Sequence, residues 1–343
     1  MSDNPQQRRN GELKVCDDIW LGMFPFLEPA ELKFVMALLS DRFDALVDIH
    51  FKRTTEWALG NFEVQRSEDG ARIAKRKGGS VEHLPIPQGP LPDKLIGFNH
   101  IEIEYIDHTV IAFLRRIRRL FNAGITLQLE ILDLERRSWD VFVQHIWPLL
   151  SSNINGLDVA DYSLHELRSR VSPTVLCDCV NLRSLSACLV PPEWPADDRR
   201  EASDGQALTK WIHTPRQDGL PKTFQYFGDV LLDTMVNGFR ETFLNASTAV
   251  NYIIVVIGRD VSADYVPFDL KNEQTRERLA FRRQGDYKWL MERGPIVRDE
   301  KQWTEWKKAV DGSQQKNWIV VFLQDPYIGS LSPAAGPSNA TER

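Results

Sequence analysis

Apolar positions recur along the chain at two spacings, which together predict an α/β protein. From residue 98 onward, several segments alternate apolar and other residues, as a strand with one buried face requires. These segments are Phe98–Ile103, Gly124–Leu129, Ile154–Val159, Leu182–Ala187, Pro221–Tyr226 and Val250–Val255. Between them, apolar residues recur every three or four positions, which is typical of amphipathic helices. The clearest helical patterns lie at 110–121, 141–150 and 235–244.

The strand segments start 26, 30, 28, 39 and 29 residues apart. One strand and one helix per interval is the upper edge of leucine-rich-repeat spacing. Right-handed crossovers would stack the units, so we expect a curved, leucine-rich-repeat-like β-α sheet over residues 97–258. The alternative is a non-repetitive α/β domain with chance spacing, because most units lack the usual Asn at the repeat turn. The longest interval contains a Pro-rich and charged stretch at 191–201, which predicts an inserted loop.

The flanking segments have different patterns. Residues 54–96 predict a β-hairpin around Asp69-Gly70, followed by a Pro-rich connector. Residues 259–325 predict short antiparallel strands and one helix with Trp303, Trp306 and Val310 on a single face, which together cap the end of the sheet. Residues 326–343 are small and polar, so we expect a disordered tail.

Near the N-terminus, residues 15–51 predict three short amphipathic helices. Asp17 and Asp18 suit the first helix start, Pro29 suits the second, and Ser40 suits the third as an N-cap. The segment carries apolar residues on more faces than one small core can cover. It therefore predicts a module that docks on another protein, or alternatively an ordinary helical subdomain sealed against the rest of the chain.

This N-terminal pattern resembles an F-box, whose usual form is Leu-Pro, an acidic pair, an apolar helix face, Leu-Asp-Pro-x-Asp-Leu and Cys-Arg-Arg-Trp. The matching stretches are Asp17-Asp18-Ile19-Trp20, Met23-Phe24, Leu27-Glu28-Pro29-Ala30-Glu31-Leu32 and Ser40-Asp41-Arg42-Phe43. Val15-Cys16 replaces Leu-Pro, and Phe43 replaces the Trp. Longer runs at 40–48, 84–92 and 213–221 make most of residues 13–325 similar to F-box-like proteins of plant-parasitic nematodes.

The resemblance implies a substrate-recognition adaptor of an SCF-type ubiquitin ligase, with the F-box at residues 13–53. In that family the F-box binds a Skp-family adaptor, which links it to a cullin, and the remaining domain binds the target protein. Apolar side chains are expected at the adaptor contact, because a lasting interface needs a dry centre. The expected contacts are Val15, Ile19, Met23, Leu27, Pro29 and Phe43.

Charge, the N-terminal residues and the absence of known motifs narrow the possible functional classes further. The net charge of -6 gives no overall attraction to nucleic acid or anionic membranes. The first residues lack the apolar core of a secretory signal, so we expect a cytoplasmic or nuclear protein with reduced cysteines. The sequence has no phosphate-binding glycine loop, nucleophile elbow or His-Glu-x-x-His motif. Cys177-Asp178-Cys179 lacks a second ligand pair and predicts buried thiols at a helix end.

Binding is therefore expected rather than catalysis, with no cofactor and no metal. Arg115, Arg116, Arg118 and Arg119 form a basic patch that predicts a solvated helix face, or alternatively an anion site. Two other functional classes stay open at this point. One is a protein-interaction scaffold outside any ligase, with a degenerate F-box. The other is an enzyme, which would need a pocket with converging ionisable side chains.

Overall fold

The computed structural model describes residues 15–27, 32, 36, 39–53, 57–77, 80–91, 95–228, 232–258, 266–311 and 317–332. The chain divides into two compact units. The first consists of Met1–Gly60 and Pro92–Ile96, and the second of Asn61–Leu91 and Gly97–Arg343. The second unit contains most of the chain and the large β-sheet.

The first unit is helical, with one small sheet. Helix α1 (Asp17–Met23) starts with two acidic residues, which favour the positive end of the helix dipole, and continues into a 3-10 turn at Phe24–Phe26. Helix α2 (Asp41–Arg53) begins directly after Ser40, as predicted. Strands β1 (Trp57–Ala58) and β5 (Leu95–Gly97) form a two-stranded sheet. The predicted helix start at Pro29 lies outside the described residues.

The second unit is organised around a thirteen-stranded sheet. In chain order its strands are β2 (Asn61–Ser67), β3 (Gly70–Lys77), β4 (Ser80–Pro85), β6 (His100–Ile103), β7 (Ile125–Leu129), β8 (Ile154–Ala160), β9 (Ser184–Cys188), β10 (Lys222–Phe227), β11 (Tyr252–Ile257), β12 (Phe268–Asn272), β13 (Glu277–Gly285), β14 (Lys288–Pro295) and β15 (Trp318–Val321). Their order across the sheet is β12-β13-β14-β11-β10-β9-β8-β7-β15-β6-β2-β3-β4. The strands from β11 to β2 are parallel, and antiparallel strands continue the sheet at both ends.

Helices connect the parallel strands from β6 to β11, and a final helix connects β14 to β15. They are α3 (His108–Ile117), α4 (Arg136–Val141), a π-helical turn (Phe142–Ile146) leading into α5 (Trp147–Leu150), α6 (Asp161–Arg170), α7 (Val175–Asp178), α8 (Asp204–His213), α9 (Leu232–Leu244) and α10 (Glu300–Asp311). Their starts follow from local sequence. Asp107 caps α3 by accepting hydrogen bonds from the Thr109 and Val110 backbone N–H groups, and Ser203 and Gln206 form a capping box on α8.

One row of side chains explains how the sheet is held to its helices. At a single register, each strand from β2 to β11 contributes a large apolar residue that is almost fully buried. In sheet order the row is Phe62, Ile101, Ile319, Leu127, Leu157, Leu185, Phe224 and Ile254. Burial of each such side chain contributes about 1.5–3 kcal/mol. The mixed α/β class with a large, mostly parallel sheet is therefore confirmed.

The strand predicted near Trp318 forms, but its predicted place is wrong. β15 lies between β6 and β7 and is parallel to both, instead of joining the antiparallel strands at the end of the sheet. Ile319, Val320 and Val321 are all buried, and a run that is apolar on both faces suits a central parallel strand. The first two predicted repeat units are consequently not neighbours, so successive stacking does not describe this part of the sheet.

The predicted hairpin is present as β2 and β3, joined by a tight turn at Glu68 and Asp69. The Pro-rich connector differs from the prediction in its first part. β4 pairs antiparallel with β3 and forms the edge of the main sheet. Pro85 is compatible with strand structure there because an edge strand leaves one side of its backbone unpaired.

The C-terminal segment extends the sheet beyond β11. β14 pairs antiparallel with β11, and β12 and β13 complete the meander, so these strands cover the end of the parallel region as predicted. Residues 326–332 differ from the predicted disordered tail. Ile328 forms a bridge with Ile106, and the Gly329 backbone N–H donates to the Ile106 carbonyl at 2.8 Å. Backbone pairing therefore holds this stretch against the end of β6.

The inserted loop before α8 is anchored on the helices. The Trp194 ring meets the Phe239 ring edge-on, with centroids 5.0 Å apart. Gly238 permits this approach, because a Cβ at that position would lie 2.4 Å from the Trp194 ring. The loop therefore has a structural role in addition to any role in recognition.

Candidate docking surfaces

Helix α1 presents two different faces. On one face, the Trp20 ring meets the Phe43 ring of α2 edge-on, with centroids 5.0 Å apart. Phe24 is fully buried, and its ring lies 5.6 Å from the imidazole of His50. Trp20 and Phe24 are four residues apart and so share a face of the helix. This face packs the first unit together.

The other face of α1 is apolar and uncovered. Ile19 is 54% exposed, Met23 46% and Phe26 88%. Spacings of four and three residues place these side chains on one side of the helix and of the turn that continues it. No residue of α1 itself is buried. We call Ile19, Met23 and Phe26 the N-terminal apolar stripe.

The predicted adaptor contacts have different environments. Ile19 and Met23 belong to the stripe, whereas Val15 and Leu27 are half-buried and Pro29 lies outside the described residues. Phe43 is half-buried because its ring packs on Trp20. Phe26 is the most exposed member of the stripe and was not among the predicted contacts, although its seven-residue spacing from Ile19 is the signal that could have included it.

A second candidate surface is the side of the large sheet opposite its helix-facing apolar row. The next residue along each strand points to this opposite side, and from β2 to β10 these residues form a mostly polar row. In sheet order this row is Glu63, Glu102, Val320, Gln128, Asp158, Ser186 and Gln225. Apart from Val320, these residues are partly exposed. We call this side, from β2 to β9, the open face.

Helix α10 covers the same side of the sheet at β11 and β14. Trp303 packs with Ile253, Val255 and Leu290, so the row turns apolar at β11 and β14. The Gln225 side-chain amide donates a hydrogen bond to the Val310 carbonyl of α10, which marks the border of the covered part. α10 thus packs on this side of the sheet against β10 and β11.

Carboxylates concentrate on the open face. Burial raises the pKa of Glu102, and the neighbouring carboxylates of Glu104, Glu63 and Glu130 raise it further. Burial also raises the pKa of Asp158, against the opposing effect of a hydrogen bond from Ser186. Carboxylates that repel one another and are partly desolvated are stabilised most in their charged form when a cation lies beside them.

A pocket of about 330 Å³ lies between α6 and the segment that leads into α8. Arg168 lines it, but its guanidinium makes four hydrogen bonds within the fold. It donates to the carbonyls of Pro173, Arg199 and Ala202 and to Asp204 Oδ1 at distances of 2.6–3.2 Å. This arginine therefore fixes the loop, and a structural role accounts for most of its hydrogen-bonding groups.

The cysteines differ in reactivity. Burial raises the pKa of the Cys179 thiol to about 12, and the side chain is 7% exposed. Cys16 and Cys188 are exposed. Because the thiolate is the reacting species, we expect iodoacetamide at about pH 8 to alkylate Cys16 and Cys188 well before Cys179. Peptide mass spectrometry over time measures this order; early modification of Cys179 in folded protein would contradict it.

Comparison with protein-family models, with curated proteins and with solved structures found no match for this chain. Within the described part of the chain, no group of three or more His, Cys, Asp or Glu side chains is arranged to hold a metal ion. No helix among those residues has the length and apolar character needed to cross a bilayer.

Proposed function

We propose that this protein is a substrate-recognition adaptor of an SCF-type ubiquitin ligase, which binds a Skp-family adaptor through its N-terminal helices. The observation that carries the proposal is the N-terminal apolar stripe. An uncovered apolar helix face beside a packed one is the arrangement that a helical docking module needs. The resemblance of residues 13–53 to an F-box supports the identity of the partner.

The energetics favour a protein partner for the stripe. Complete burial of one large apolar side chain contributes about 1.5–3 kcal/mol. Phe26 and Ile19 are more than half exposed, so most of this contribution is still to be gained on binding. Aromatic and methionine side chains are also enriched at the centres of interfaces. The stripe therefore has the composition of a dry interface centre.

In this proposal the second unit binds the target protein. The adaptor and a cullin then hold the target near the ubiquitin-charged enzyme. The contribution is positional, because linking two binding sites raises the effective concentration of the reacting groups to the millimolar range for short flexible linkers. No catalytic group of this chain takes part.

The test is co-purification of the full chain with a Skp-family adaptor. We expect Ile19→Asp to abolish it, because a buried carboxylate without a partner costs several kcal/mol at an interface centre. Val297→Asp is the matched control, since Val297 is 90% exposed and lies in the second unit. Circular dichroism of both variants shows whether they are folded.

Equal adaptor binding by folded Ile19→Asp and parent would refute the docking assignment.

The second candidate function is an interaction scaffold outside any ligase. The packing of Phe43 on Trp20 favours it, because one predicted adaptor contact already serves the first unit itself. That alternative predicts that the parent protein recovers neither a Skp-family adaptor nor a cullin.

A further inference from the structure

We propose that the open face binds an extended, lysine- or arginine-rich segment of a partner polypeptide. This inference rests on the proposed function and extends it, because it names the chemistry of the target protein. The sheet itself shows the contrast that motivates the proposal. α10 covers the apolar part of this side, whereas the row residues from β2 to β9 are partly exposed apart from Val320.

The charge of the open face selects the partner. Glu63, Glu102 and Asp158 lie on strands of this face, and Glu104 and Glu130 directly follow β6 and β7; Glu63 pairs with Arg76 at 2.7 Å. Within the described residues, no lysine or arginine forms an ion pair with the other four. A second copy of this face, a nucleic acid or an anionic membrane would be repelled, and an apolar partner would desolvate unpaired carboxylates.

The centre of the open face suits the stems of basic side chains. β15 runs through it, and the Trp318 ring meets the imidazole of His100 edge-on at 5.6 Å. Phe322 continues the strand, is half-buried, and follows Trp318 with the alternation of a strand. Lysine and arginine pack their hydrocarbon stems on such rings, while their charged ends reach carboxylates on either side.

The dimensions suit an extended chain. Glu63 on β2 and Asp158 on β8 are four strand spacings apart across the sheet, which is about 19 Å. An extended peptide rises about 3.3 Å per residue, so roughly six residues cross this distance. Alternate side chains of that segment would face the sheet, about three over this distance, and meet carboxylates on both sides of β15.

The experiment measures binding of a fluorescein-labelled peptide of alternating lysine and serine to the full chain by anisotropy. We expect the triple variant Glu102→Gln, Glu130→Gln, Asp158→Asn to weaken binding about tenfold or more, since close charge pairs dominate such contacts. The matched control is Glu201→Gln, Asp233→Asn, Glu241→Gln, which removes the same charge at exposed positions outside the open face. We expect this control to change the affinity less than about twofold, and about 0.5 M NaCl to weaken parent binding strongly.

Equal weakening by the two triple variants, or equal binding of a glutamate-serine peptide, would overturn the proposal. Absence of lysine-peptide binding to the parent would do the same. If the open-face triple variant does not fold, Glu130→Gln alone replaces it, with Glu241→Gln as its control. No Skp-family adaptor is present in this assay, so its failure is independent of the outcome for Ile19→Asp.

Discussion

Glu277→Gln is expected to lower the free energy of unfolding by about 3–5 kcal/mol, although it changes only one side-chain atom type and no volume. Glu277 and Arg293 are each 1% exposed and form an ion pair across β13 and β14 with a distance of 2.7 Å. The variant leaves the Arg293 guanidinium buried without its counter-charge. Denaturant unfolding of parent and variant measures the difference.

The surroundings of the pair explain the size of this effect. Glu277 Oε1 also accepts a hydrogen bond from the Val250 backbone N–H at 2.8 Å, and Arg293 donates to the Thr248 carbonyl at 3.0 Å. The guanidinium also lies over the ring of Phe243, 5.2 Å from its centroid. The pair thus joins the antiparallel strands to the segment that leads into β11.

Asp269→Asn is the matched control, because Asp269 on β12 pairs with Arg278 on β13 in the same meander but both side chains are about one-third or more exposed. Exposed pairs contribute about 0–1 kcal/mol. A combined Glu277→Leu and Arg293→Met variant removes both charges and is expected to recover much of the lost stability. Similar losses for Glu277→Gln and Asp269→Asn would contradict this account of the buried pair.

Trp303→Ala is expected to destabilise the protein by about 3–5 kcal/mol, the range for deleting a buried aromatic side chain. Trp303 is 2% exposed and lies among Ile253, Val255 and Leu290. Its indole N–H donates to Glu292 Oε1 at 2.7 Å, and that glutamate is also buried. The truncation would therefore open a cavity and remove a hydrogen bond from a buried carboxylate.

Trp306→Ala is the control within the same helix. Trp306 is half-buried and packs at the margin of the cluster, with its ring centroid 5.6 Å from that of Trp303. We expect Trp306→Ala to cost less than about half the stability that Trp303→Ala costs, because much of the Trp306 surface is already in water. Equal losses in thermal or denaturant unfolding would show that Trp303 does not anchor α10.

Gly294 shows how closely α10 approaches the sheet. A Cβ at this position would lie 2.4 Å from the Trp303 ring. β14 therefore needs glycine where the indole crosses it. This close contact fixes α10 over β11 and β14. The open face, from β2 to β9, lies beyond it on the same side of the sheet.

Local pattern was sufficient for many elements of the second unit. The alternation in Ile154–Val159 and Val250–Val255 predicted β8 and β11, and the Asp69-Gly70 turn predicted the β2-β3 hairpin. The single apolar face of Trp303, Trp306 and Val310 predicted α10 and its buried side. These features depend on residues close in sequence, and side-chain periodicity reports them directly.

The N-terminal segment was only partly predictable. Its apolar spacing indicated a helix with more than one apolar face, and α1 has an inward and an outward one. The sequence could not assign Phe43, which could have faced outward like Ile19 but packs on Trp20. Which apolar side chain stays exposed depends on where α2 crosses α1, and this is a property of the packed unit.

The sequence by itself determined most strands and helices of the second unit and the buried side of many of them, because those properties follow from the period of apolar residues. It did not determine β4, which depends on pairing with β3. The tertiary structure alone decided that β15 lies between β6 and β7, since strands pair through backbone groups that are the same at every residue. It also decided that carboxylates from separate strands share one open face. Their register across the sheet is set by long-range pairing, which local periodicity does not encode.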